Sequence, residues 1–116
     1  TIAQEMAPYH IEVNCIAPGF VITRLHEQTL NAQEKAGAEF VEKTKQEVDR
    51  GGVPIELGAS AAAFFVSDAS RGITGKFIAA PYDTWKEFPQ RIKELKESDL
   101  FTLRRIIPKD RGLSWQ

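Results

Sequence analysis

The chain has 116 residues, 42% hydrophobic and 27% charged, with 15 basic side chains against 16 acidic ones for a net charge of -1. That length holds one small domain and not two, and the charge balance leaves no global electrostatic case for a nucleic-acid or anionic-membrane partner. The single cysteine, Cys15, excludes an internal disulfide and fits a reducing, cytoplasmic setting, and no apolar run is long enough to span a bilayer.

Residues 1 to 8 read as the last turns of a helix, with Ile2, Ala3 and Met6 on one face and Pro8 ending it. No start signal precedes them, and the first residue is Thr, so upstream sequence is expected. Pro8 to His10 connect into a strand, Ile11 to Ile16. There Ile11, Val13 and Cys15 alternate with Glu12 and Asn14, and Cys15 is expected to be a small buried hydrophobe. Ala17, Pro18 and Gly19 stop the strand sharply. Ligands in open α/β sheets bind just beyond the carboxyl ends of strands, and Thr23 adds a hydroxyl there.

From Arg24 to Gly52 the chain is charged and poor in large apolar residues. Asn31 with Glu34 resembles a capping box, which places a helix over Ala32 to Asp49. Ala36, Phe40, Val41, Thr44 and Val48 form its narrow apolar stripe, and Gly51-Gly52 ends it. Such a segment is a solvated surface helix or a mobile lid over a ligand at Pro18-Gly19. His10 and His26 have no second ligand nearby and carry no metal reading. Pro54 suits the first position of the next helix. Leu57, Ala61, Phe64 and Phe65 would face a core, with small residues between them for close packing on a sheet. After a polar loop, Ile73 to Ala80 reads as a second strand, parallel to the first. Two parallel strands are too few for a buried sheet, so more are expected from missing sequence or partner chains.

The tail departs from that pattern. A turn at Tyr82-Asp83-Thr84 leads to an aromatic cluster of Trp85 and Phe88. A charged helix over Gln90 to Glu97 follows, with Ile92 and Leu95 on one face. Ser98 or Asp99 would cap a further short helix carrying Leu100, Leu103 and Ile106. Arg104, Arg105, Lys109 and Arg111 make the end locally basic, as a charged face or a partner contact.

Two stretches resemble the short-chain dehydrogenase/reductase family. A-Q-E-M-A-P-Y-H-I-E-V-N-C-I-A-P-G-F-V-I-T resembles the segment that follows that family's active site. G-G-V-P-I-E-L-G-A-S-A-A-A-F-F-V-S-D-A-S-R-G-I-T-G-K resembles the stretch that closes its fold. The resemblance covers residues 1 to 80, in order and spacing. It implies an α/β fold: the C-terminal part of a Rossmann-like doubly wound parallel sheet, namely its last two strands with crossover helices. Residues 24 to 52 would be the variable substrate loop, and residues 81 to 116 a helical C-terminal extension. It implies that Pro18, Gly19, Val21 and Thr23 lie against the nicotinamide of NAD or NADP, with the Thr23 hydroxyl near the carboxamide or pyrophosphate. Asn14 would be a structural strand asparagine. The activity implied is hydride transfer between NAD(P) and a small carbonyl or alcohol.

The sequence also departs from the family. It lacks the glycine-rich dinucleotide fingerprint, the catalytic serine and the Tyr-x-x-x-Lys pair, all expected upstream of Thr1. Ala80-Pro81-Tyr82-Asp83 stands where many members have Asp-Gly-Gly. No catalytic residue and no metal site is therefore assigned, and the chain alone is expected to be inactive without the missing N-terminal half. The family's dimers and tetramers imply a homo-oligomer with the last strand near an interface, where the run Phe77 to Ala80 would be buried. Two alternatives stay open: a non-catalytic, self-associating half-domain acting as a binding or assembly module, and an anion- or nucleic-acid-binding module built on the basic tail.

Overall fold

The structure is a computed structural model and describes residues 1–114. It is mixed α/β. Two short parallel strands, β1 (Cys15–Ala17) and β2 (Phe77–Ala79), pair in the register Cys15 with Phe77, Ile16 with Ile78 and Ala17 with Ala79. Around them, among the described residues, lie five α-helices: α1 (Ile2–Met6), α2 (Arg24–Ala32), α3 (Ala38–Asp49), α4 (Ile55–Phe65) and α5 (Ile92–Glu97).

Both strands are shorter than their apolar runs, because side chains replace the ladder before they begin. Asn14 Nδ2 donates to the Ile73 carbonyl at 2.8 Å, and its Oδ1 accepts from the Lys76 N–H at 3.1 Å. The Val13 N–H donates to Thr74 Oγ1 at 3.0 Å, and the Gly72 N–H to the Glu12 carboxylate. Asn14 is thus a structural clip between the two runs.

The sheet is covered on one face only. Ile78, Ala80 and Ile73 pack with Ala61 of α4 and with Trp85, Phe88 and Leu95 of the tail, while Ile16, Leu57, Phe64, Phe65, Ile92 and Phe101 border this core. On the opposite face Cys15 is exposed and Phe77 is 43% exposed. The expected buried strand with a buried Cys15 is therefore corrected: Ile11 is 51% exposed, and Cys15 is exposed as well. Phe77 to Ala80 is likewise buried only at alternate positions, Ile78 and Ala80, as the pleat requires.

The outer edge of β2 is closed by the tail. The Phe77 N–H donates to the Phe101 carbonyl and the Ala79 N–H to Asp83 Oδ2, both at 2.6 Å. Trp85 Nε1 donates to the Ala80 carbonyl at 3.1 Å. Covering an edge with a loop in this way removes it as a site of strand addition.

Four helical expectations are corrected. First, the expected face of Ile2, Ala3 and Met6 on α1 is only partly buried. Ala3 is buried, but Ile2 is exposed. Second, the helix over Ala32 to Asp49 is two helices. α2 begins at Arg24 and contains Asn31, a 3-10 turn follows over Gln33–Ala36, and Gly37 with φ +87° opens α3. Val41, Thr44 and Val48 turn inward as the stripe requires, but Phe40 stays 58% exposed. Third, Pro54 is the N-cap of α4 and Ile55 its first residue. Fourth, Trp85–Arg91 forms a 3-10 turn ahead of α5, and no helix carries Leu100, Leu103 and Ile106. Phe101 takes φ +56°, which breaks a right-handed helix, and a 3-10 turn over Pro108–Arg111 comes next. Trp85 and Phe88 are buried, as their cluster predicts.

α2 and α3 pack chiefly on each other. The Cα radius of gyration is 18.3 Å, against roughly 13 Å for a closed domain of this length. Among the described residues no helix is long and apolar enough to cross a membrane.

Candidate functional site

The chain leaves β1 through Pro18 and Gly19. Gly19 has φ +84°, a conformation that glycine takes without strain, and the Val21 N–H donates back to the Gly19 carbonyl at 3.0 Å. Three distant elements lock this turn from behind. A Cβ on Gly19 would stand 2.7 Å from Pro81 Cγ and 2.9 Å from Val53 Cγ2. A Cβ on Gly58 of α4 would stand 2.9 Å from Pro18 Cβ. The Phe20 carbonyl accepts from the Val53 N–H at 2.7 Å, and a Cβ on Gly52 (φ +63°) would meet that oxygen at 2.8 Å.

The four residues singled out from the sequence therefore form one continuous strip at the carboxyl end of β1. Pro18, Gly19 and Thr23 are exposed and Val21 is half-buried. Thr23 begins α2. Its N–H donates to His26 Nδ1 at 3.1 Å, and its hydroxyl lies 3.1 Å from the same nitrogen. The His26 ring sits 4.3 Å, centroid to centroid, from the Phe20 ring. Between Pro18 and His26 the titratable side chains are Arg24 and His26, with no carboxylate among them. Such a strip offers exposed backbone and one hydroxyl for contact with a ligand. Among the described residues no group of three or more His, Cys, Asp or Glu is placed to hold a metal ion.

Other hollows lie away from the strip. One of about 500 Å³ opens between Ala3, Gly75, Lys76, Leu95 and Arg104, and one of about 850 Å³ between His10, Glu12, Asp68 and Lys96; neither is lined by Pro18 to Thr23. The displaced pKa values also lie away from the strip, at Arg71 and Lys76 and in the tail. The buried Lys76 ammonium donates to the Leu95 and Leu100 carbonyls at 2.7 and 2.9 Å. Its desolvation lowers its pKa, and Asp99 opposes that effect. Arg104 bridges Asp99 and Asp110 at 2.6 and 2.8 Å. The Asp99 carboxyl is lowered by its hydrogen bond to Arg104, and the Asp110 carboxyl by the Ile107 N–H and then Arg104. These groups fasten the tail and stand apart from the strip.

Sequence reasoning passed over His26 and the clamp. The Thr23-x-x-His26 spacing is the readable signal, since the third residue of a helix can reach back to the cap. The clamp has no local signal, because Val53, Gly58 and Pro81 lie 34 to 62 positions from Gly19.

Residues 1–80 match the family model described as Enoyl-(Acyl carrier protein) reductase. The chain belongs to the short-chain dehydrogenase/reductase family. Among curated members it is similar to "NADPH-dependent reductase BacG" of Bacillus subtilis (strain 168), 32% identical over 85 residues that cover 68% of this chain and 32% of that protein. It is similar to "Tropinone reductase-like 3" of Erythroxylum coca, 42% identical over 77 residues, 66% of this chain and 28% of that protein. It is also similar to "Nodulation protein G" of Rhizobium sp. (strain N33), 35% identical over 78 residues, 67% of this chain and 29% of that protein. The chain thus spans about a third of the length of the curated family members it matches. No solved structure matches it with comparable significance. The family match ends at Ala80, where the tail begins to close the edge of β2.

Proposed function

We propose that this chain is the C-terminal part of an NAD(P)-dependent short-chain dehydrogenase/reductase that moves hydride between the nicotinamide and a small carbonyl or alcohol. Residues 1–80 complete a Rossmann-like doubly wound domain, with residues 24–52 as its substrate loop and residues 81–116 as an extension. The observation that carries this reading is the exposed strip Pro18 to Thr23, locked at the carboxyl end of a parallel strand by Gly58, Val53 and Pro81.

The strip fits the nicotinamide end of the cofactor. Gly19 bares its backbone to solvent, so a flat ring can approach closely, and Thr23 presents a hydroxyl. The bound cofactor supplies the hydride. In this reading Pro18, Gly19 and Val21 hold and orient the ring, Thr23 contacts the carboxamide or pyrophosphate, and the α2–α3 pair shields the reacting face from water. The glycine-rich fingerprint and the serine, tyrosine and lysine of the chemistry come from upstream, so the chain by itself is inactive.

The test compares the chain with a longer product that includes the sequence before Thr1. Each is titrated with NADH and NADPH, and oxidation at 340 nm is followed with a panel of ketones and aldehydes. The expected result is binding and turnover by the longer protein only. Turnover by the chain alone, or no cofactor binding by the longer protein, overturns the reading. The alternative, a self-associating binding or assembly module in a non-catalytic protein, draws on the bare sheet face at Cys15 and Phe77. It predicts a stable oligomer of the chain in sedimentation analysis and no nucleotide affinity in the longer protein.

A further inference from the structure

We propose that the end of the tail, around the turn at Pro108–Arg111, is a docking surface for an anionic lipid bilayer. This goes beyond the oxidoreductase reading and does not depend on it.

Charge is segregated along the chain. Residues 101–114 carry Arg104, Arg105, Lys109 and Arg111 against Asp110 alone, a net +3, so the rest of the chain carries -4. Arg104 is neutralised by Asp99 and Asp110 at 2.6 and 2.8 Å. Arg105, Lys109 and Arg111 are exposed and form no ion pair among the described residues. Beside them Leu103 is 81% exposed, Ile106 57%, Leu113 50% and Ile107 40%.

These aliphatic side chains stand on pinned backbone. The Ile107 N–H donates to Asp110 Oδ2 at 2.9 Å, and Arg104 holds the same oxygen. Gly112 takes φ +69°; its N–H donates to the Lys109 carbonyl at 3.1 Å, and the Leu113 N–H to the Pro108 carbonyl at 3.0 Å. That pair of bonds closes a helical turn through a left-handed glycine. Ile107 and Leu113 therefore flank one turn, with Lys109 and Arg111 between them.

A bilayer with acidic headgroups meets both features at once. Aliphatic side chains enter the acyl boundary, and cations stay at the headgroups. The chain's net negative charge does not oppose this, because only charges within a Debye length of the surface are felt strongly. A nucleic acid would gain little from four aliphatic side chains, which offer a base neither a flat ring nor a hydrogen bond. Leu103 and Ile106 stand on irregular backbone, so they form no ridge for a partner helix.

The test is cosedimentation of the longer protein with vesicles of phosphatidylcholine alone and of phosphatidylcholine and phosphatidylserine at about 2:1. Three double variants are compared: Arg105→Gln with Lys109→Gln, Leu103→Ser with Ile106→Ser, and Lys45→Gln with Lys93→Gln as a charge-matched control away from the turn. All six side chains are exposed. Wild type is expected to bind the mixed vesicles, and less so as salt rises from about 0.1 to about 1 M. The Arg105–Lys109 pair should weaken binding about 25-fold, roughly fivefold for each cation. The Leu103–Ile106 pair should weaken it by about tenfold or more, and the control pair should leave it unchanged. No binding to mixed vesicles overturns the proposal. So does an equal loss in the control pair, which would make net charge the cause. Loss from the cation pair without loss from the aliphatic pair also overturns it, and points to an acidic protein surface. Binding that no tail variant weakens places the contact upstream of Thr1 and overturns it as well. Cofactor titration of the longer protein is read separately, so the oxidoreductase reading and this one fall independently.

Discussion

Replacing Gly19 with alanine tests whether the strip is held by its distant neighbours or merely by its own conformation. Two costs add. At φ +84° an alanine pays about 1–2 kcal/mol for left-handed backbone. Its Cβ would also stand 2.7 Å from Pro81 Cγ and 2.9 Å from Val53 Cγ2, where carbon contacts prefer ~3.5–4.0 Å. Pro81 is a rigid ring at the root of the tail, so relief requires backbone movement, and overpacking of this kind costs about 1–3 kcal/mol. The sum is about 2–5 kcal/mol. Gly51 is the internal control, since it has φ +90° and nothing within 4 Å of its virtual Cβ. Gly51→Ala therefore pays the conformational cost alone. Urea unfolding of the two variants isolates the packing contribution. With a denaturant slope of about 1.5 kcal/mol per molar, a difference of about 2 kcal/mol separates their midpoints by ~1.3 M. Pro81→Gly in the Gly19→Ala background should recover part of the loss, because it removes the closer contact. Equal midpoints for Gly19→Ala and Gly51→Ala would refute the clamp.

Trp85→Ala should cost about 3–5 kcal/mol. Its ring is 4% exposed, lies 5.3 Å from Phe64 and 6.3 Å from Phe65, and bonds the Ala80 carbonyl. Thermal unfolding followed by near-UV dichroism reads the loss, and a cost under ~1 kcal/mol would mean the tail does not close the core. Asp99 and Asp110 should both titrate below their ordinary value of 3.8, and Arg104→Gln should return Asp99 toward it. Because both folded-state values are depressed, the stability they contribute is present above about pH 3.8 and is lost as the pH falls through the folded values. Carboxyl NMR titration checks the midpoints, and unfolding below about pH 4 checks the sign. Both groups lie at the surface, so added salt should shrink the effect.

Much of the site is legible in the sequence alone. The strand end at Pro18-Gly19 announces itself through two residues whose backbone chemistry is local: proline removes a donor, and glycine opens positive φ. The inward stripe of α4 and the aromatic pair Trp85 and Phe88 are readable for the same kind of reason, since their spacing and size dictate burial wherever they land. The misreadings also have local causes. Asn31 and Glu34 imitate a helix start where α2 is ending and a 3-10 turn follows, whereas the true start of α3 at Gly37 depends on a φ of +87° that no neighbouring residue signals. The apolar run at Ile11 promises burial, but burial needs a covering layer, and only one face of the sheet receives one.

The family, the two strands and the strip that leaves the first of them are thus written in the order of the residues, because they rest on backbone preferences and motif spacing. What holds that strip and what closes the sheet are settled only in three dimensions. Gly19 against Pro81 and Val53, Gly58 against Pro18, Lys76 on the Leu95 and Leu100 carbonyls, and Asp83 and Phe101 on the edge of β2 are contacts between residues far apart in the chain or in a tail without regular periodicity. Their existence depends on how the backbone closes in space, and no local pattern of side chains encodes a distance between segments that meet only after folding.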